Sequence, residues 1–111
     1  MKKDNQKNFT VLKPADEATV SGLIDEAETT IFENLSTNYI LDLSNFDNLD
    51  KRQIERLTKI AETLDNENYS FVVLMNQLKI EDLPEEINTV PTLKEAEDII
   101  QMEMIERDLG F

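Results

Sequence analysis

Histidine, cysteine and tryptophan are absent from the chain, and its 111 residues include only two glycines and three prolines. Without histidine there is no side chain whose ordinary titration lies near neutrality, and without cysteine there is no thiol nucleophile, so most enzyme mechanisms lose their usual parts. The missing cysteine also removes disulfides and thiolate metal sites, leaving the hydrophobic core to supply stability. Gly22 and Gly110 do not sit in a strand-to-helix turn, which excludes a glycine-rich phosphate loop. No apolar run approaches the ~18 residues of a membrane span. The basic start, Met1 to Lys7, leads only into Asn8-Phe9-Thr10-Val11-Leu12, too short for the apolar part of a secretory signal. The expectation is a cytoplasmic protein with no membrane insertion, no catalytic residue, no metal and no cofactor.

Positive charge is also scarce. Eleven Lys and Arg against 24 Asp and Glu give a net charge of -13, which repels a phosphate backbone and argues against nucleic acid as a partner. The imbalance is uneven. Lys2, Lys3, Lys7 and Lys13 make the first residues basic, whereas ten acids against Lys94 and Arg107 make residues 81–108 an acidic third. Such a surface either keeps a small protein soluble or steers a basic partner.

Forty per cent of the residues are hydrophobic, enough for one globular core at this length. Residues 1–8 read as a basic N-terminal tail and 9–111 as a single domain. Asn8 to Leu12 is a short strand stopped by Pro14 and placed at a sheet edge. Leu23, Ile24, Ala27, Ile31 and Leu35 mark one face of a helix from about Thr19. Asn38 to Ser44 and Tyr69 to Met75 are compact β-prone runs of the kind covered on both faces. Between them Asp50 offers a helix N-cap with Gln53 as its capping-box partner, followed by the stripe Ile54, Leu57, Ile60, Ala61 and Leu64. Gln77 to Ile87 reads as a short helix stopped near Pro84, and Asn88-Thr89-Val90 as a last brief strand. Thr92 caps a final helix with Glu95 as its capping-box partner and Leu93, Ala96, Ile99, Ile100 and Met104 on one side. This order predicts an α/β fold with a small, mostly parallel sheet of four or five strands and about four helices.

Asp42, Asp47 and Asp50 are the best carboxylate cluster, following a central strand where α/β proteins place binding sites. They could hold a divalent cation or an acid/base pair, but Asp50 is more simply a helix cap. Tyr39 and Tyr69 lie in strands and need no catalytic role.

The segment Tyr39-Ile40-Leu41-Asp42-Leu43-Ser44, with its loop to Asp50, resembles the strand and loop of STAS domains, the anti-sigma-factor antagonist family. Phe71 to Asn76 looks like that family's next strand, and Val90 to Ala96 like the junction into its last helix. The likeness covers roughly residues 9–109, by order of elements more than by identity. Where the family reads Asp-Ser-Ser-Gly, this chain has Asp50-Lys51-Arg52-Gln53, with lysine in place of the phosphorylated serine. Lysine carries a positive charge where phosphorylation adds about two negative ones, so the family's kinase switch cannot operate there. The resemblance also implies two opening strands, of which the sequence makes only one evident.

The resemblance implies a non-enzymatic module that binds a protein, an anti-sigma-factor-like kinase or another regulator. An accessory subunit of a membrane transport ATPase is the alternative within binding. The implied contact surface is the start of the Asp50 helix, with Asp47, Asp50, Lys51, Arg52, Gln53 and Arg56 toward an acidic groove. The competing reading of Lys51, Arg52, Arg56 and Lys59 is a solvated helix face with i,i+4 pairs such as Glu55 with Lys59. At the other end Met102, Met104, Ile105, Leu109 and Phe111 supply more apolar side chains than one helical stripe needs. They pack back onto the sheet or form an interface, with a partner or with a second copy as a homodimer.

Overall fold

The computed structural model describes residues 1–76 and 83–110. Five strands form one sheet in the order β1-β2-β3-β4-β5: Lys2–Asn5, Phe9–Lys13, Asn38–Asp42, Phe71–Leu74 and Asn88–Val90. Three helices accompany them, α1 (Val20–Glu33), α2 (Lys51–Asn66) and α3 (Leu93–Asp108). β1 runs antiparallel to β2, and the other neighbours are parallel, with Val11 beside Ile40 and Ile40 beside Val72. The mostly parallel α/β architecture is thus as its periodicities predict. The count of helices is not: among the described residues there are three, not four. Residues 77–82 of the expected short helix lie outside the described residues, and 83–87 form a turn in which the Ile87 N–H donates to the Pro84 carbonyl at 3.1 Å.

Two expectations about the sheet edge are corrected. Residues 2–5 are a strand and not a tail, because their backbone pairs with 10–13, Lys3 opposite Leu12 and Asp4 opposite Val11. That pairing moves β2 off the edge, and four of its five residues are buried. The edge role passes to β1, whose Lys2 and Lys3 suit an exposed strand that must not recruit further strands.

Strand alternation divides the core. Leu12, Tyr39, Leu41, Phe71 and Val73 face α1 and α2, joining Leu23, Ile24, Ala27, Ile31, Leu57, Ile60 and Leu64. Phe9, Val11, Ile40, Val72 and Leu74 face the other way, toward Ala96 and Ile100 of α3. Two successive crossovers of one hand, moving the same way across the sheet, put α1 and α2 on one face. α3 follows the last strand and covers the other.

Thr92 caps α3 as the sequence indicates, its Oγ1 accepting from the Glu95 N–H at 3.2 Å, although only this half of the expected capping box is formed; Thr19 caps α1 likewise, its Oγ1 accepting from the Gly22 N–H at 3.0 Å. Buried polar groups are likewise paired, and no buried side-chain nitrogen or oxygen among the described residues lacks a partner. Tyr39 is 2% exposed and its hydroxyl donates to the Asn34 carbonyl at 2.6 Å. Burial raises the phenol above its ordinary pKa of 10.0. A folded pKa above the unfolded one means that the neutral phenol stabilises the fold below about pH 10, a contribution lost as pH rises through the folded value. Tyr39→Phe will therefore cost about 1 kcal/mol at neutral pH through the lost hydrogen bond. Urea titrations at about pH 8 and about pH 11 should show this deficit shrink, since only the wild type must expel a tyrosinate; an unchanged deficit would contradict the assignment.

Candidate binding surface at the start of helix α2

The loop between β3 and α2 is held by alternate anchoring and capping. At the end of β3 the Asp42 carboxylate accepts from the Ser44 N–H at 2.9 Å and the Ser44 hydroxyl at 2.5 Å, so Asp42-Leu43-Ser44 closes a turn around a fully buried Leu43. Phe46 and Leu49 pack against the α1/α2 core, which leaves Asp47 exposed on the intervening loop. Asp50 then caps α2: its carboxylate accepts from the Gln53 N–H at 2.8 Å, and the Asp50 N–H donates to Gln53 Oε1 at 2.9 Å. Leu49 and Ile54 occupy the positions of a hydrophobic staple, and both pack on the same core cluster.

Each expected site residue has a definite place. Lys51 and Arg52 are exposed in the first turn of α2 and form no ion pair among the described residues. Gln53 is buried, and its amide also donates to Ser21 Oγ of α1 at 2.9 Å, so it positions the helix start and does not face outward. Arg56 turns toward α1, where its guanidinium meets Asp25 at 2.6 Å and Glu28 at 3.3 Å. Those contacts raise its pKa, the Asp25 hydrogen bond most, with partial burial opposing. Arg56 therefore belongs to the α1–α2 contact and not to an outward basic patch. The sequence offers no sign of this, because Asp25 and Glu28 lie some thirty positions earlier.

Beside Lys51 an open groove of about 740 Å³ runs along α2, lined by Ile54, Thr58, Lys59 and Pro84, with Glu55 and Glu62 among its walls. The carboxylates do not assemble into a cation site: Asp42 and Asp50 are both engaged with backbone N–H groups, and no three acids converge to hold a metal among the described residues. At the opposite end of the sheet a second cavity of about 300 Å³ is bordered by Glu62, Asp65, Glu86 and Glu103. No helix among the described residues is long and apolar enough to cross a membrane.

No protein-family model matches the chain, and no curated protein sequence matches it. Among solved structures it is similar to one described as the NMR structure of the protein TM1081, with a TM-score of 0.67 over 89% of this chain and 86% of that one at 15% identity. The two chains share a fold. At that identity the likeness carries no activity, so a functional reading must rest on side chains.

The apolar C-terminal residues divide between two sides of α3. Met104 packs against the α3-facing core, whereas Met102, Ile105 and Leu109 are 55%, 52% and 65% exposed. Phe111 lies outside the described residues. Glu103 and Arg107 latch the helix to the sheet, with Asn88 donating to Glu103 at 3.2 Å and Arg107 donating to Ser70 Oγ at 3.0 Å.

Proposed function

We propose that this protein is a non-enzymatic, cytoplasmic binding module of the STAS type, which engages an acidic surface of a regulatory protein through the first turn of α2. The observation that carries the reading is the pair Lys51 and Arg52. They are exposed and unpaired among the described residues, at a helix N-terminus where the macrodipole disfavours cations, in a chain of net charge -13. α3 carries an acid, Glu95, in its first turn and α1 carries no charge there, whereas α2 places Lys51 and Arg52 directly behind its Asp50 cap. The rigid frame around the pair supports the same reading, since the capping box, the Gln53–Ser21 bond and the anchored loop fix its direction before any partner arrives. The partner would be an anti-sigma-factor-like kinase or a comparable regulator. With Lys51 in place of a phosphorylatable serine, binding would be constitutive and not switched by phosphate at that position.

The test is capture of partners from the native cytoplasm by the wild-type chain and by Lys51→Glu/Arg52→Glu, each first shown to be folded by circular dichroism. Loss of one partner with the double variant alone supports the reading. Capture of the same partner with equal affinity by both sinks it. If the lost partner is a transport ATPase, the surface stands and the role becomes that of an accessory subunit.

A further inference from the structure

We propose that the outward side of α3 is a second docking surface, shaped for a basic amphipathic helix of another protein. Apolar residues lie on two sides of this helix. Ala96 and Ile100 are buried against the sheet, and Ile99 and Met104 pack beside them. Met102, Ile105 and Leu109, spaced three and four residues apart, form a stripe on the opposite side, each more than half exposed. A helix patterned for burial on both sides but covered on one has, among the described residues, no partner for the second. On another flank of α3, a groove of about 300 Å³ has Phe9 and Met104 in its lining, with Glu97, Asp98 and Lys94 also lining it.

Charge decides what covers it. Glu95, Asp98 and Glu106 share the outward side with the stripe. Lys94 meets Asp98 at 2.8 Å, while Glu95 and Glu106 form no ion pair among the described residues. A second copy would bring another acidic rim and another net charge of -13 against this one, and an anionic lipid surface would be repelled in the same way. A helix with apolar residues at i, i+3, i+4 and i+7, flanked by lysine or arginine, satisfies both the stripe and its rim. This surface lies across the sheet from the start of α2 and prefers the opposite charge, so its fate does not depend on the reading of that site.

The test titrates the full chain, isotope-labelled for NMR, with a synthetic amphipathic Leu/Lys helix and with a scrambled peptide of the same composition. The expected result is saturable, salt-weakened binding of the amphipathic peptide, with shifts concentrated on Met102, Ile105 and Leu109. Affinity should fall roughly tenfold for the scrambled peptide and for Ile105→Ser/Leu109→Ser, and several-fold for Glu95→Gln/Glu106→Gln. Equal binding of both peptides, shifts centred on the cavity of Glu62, Asp65 and Glu86, or no binding would overturn the proposal. So would sedimentation showing a wild-type dimer that Ile105→Ser/Leu109→Ser abolishes, which would assign the stripe to a second copy.

Discussion

Asn38→Ala will lower the unfolding free energy by roughly 3 kcal/mol, the combined order of losing two hydrogen bonds and leaving a buried donor unmet. Asn38 is 4% exposed at the first position of β3, and its amide serves both neighbouring strands. Its Nδ2 donates to the Asn8 carbonyl at 2.8 Å and its Oδ1 accepts from the Ser70 N–H at 2.7 Å, tying the start of β3 to the residues just before β2 and β4. Ser70 is itself buried, so removing the acceptor strands a backbone N–H away from water. Asn38→Asp separates the two contacts. The acid keeps an acceptor for Ser70 but, once ionised, turns a carboxylate toward the Asn8 carbonyl in a desolvated site. Burial would raise its folded pKa above the unfolded value of about 3.9. Relative stability is then present below that pH and lost as pH rises through the folded pKa, so Asn38→Asp should match wild type more closely at about pH 4 than at about pH 7. Chemical denaturation at the two pH values decides the matter; a loss below about 0.5 kcal/mol for Asn38→Ala would show that the bridge contributes little.

The contrast between Asn38 and Asp50 shows what a sequence makes legible here. The capping box joins residues three apart, so Asp50 and Gln53 announce the start of α2, and the stripe from Leu57 to Leu64 repeats at the helical period. The parallel order follows in the same way from buried runs alternating with amphipathic helices. Asn38 reads as an ordinary polar residue heading a strand, because its partners at Asn8 and Ser70 stand thirty or more positions away on either side. β1 was hidden by its own composition: Lys2-Lys3-Asp4-Asn5 has the look of a solvated tail, and only pairing with residues 10–13 makes it a strand. Charged residues that protect an edge strand also disguise it. At the candidate site the exposed pair Lys51 and Arg52 was visible as charge in the wrong place for a helix, but charge alone could not separate them from Arg56, which α1 takes up.

That separation makes a prediction with opposite signs for two sets of charges on one helix. Lys51→Glu/Arg52→Glu should leave stability unchanged or raise it by up to about 1 kcal/mol, because acids at a helix start complement the macrodipole, a gain partly offset where the new carboxylate one turn before Glu55 repels it. The same change should weaken binding of an acidic partner by about a hundredfold, since juxtaposed like charges across an interface oppose association by several kcal/mol. Arg56→Glu should do the reverse. It would set three carboxylates together at the α1–α2 contact in place of two ion pairs, and the partly exposed setting limits the expected loss to roughly 2 kcal/mol. Binding at the helix start should then change by no more than a few-fold, because Asp50, Gln53 and Ser21 still fix the first turn. Denaturation midpoints and calorimetric affinities for both variants settle the assignment. Loss of affinity in Arg56→Glu at a temperature where the variant is fully folded would return Arg56 to the interface, whereas intact affinity in Lys51→Glu/Arg52→Glu would leave those two cations as a solvated face.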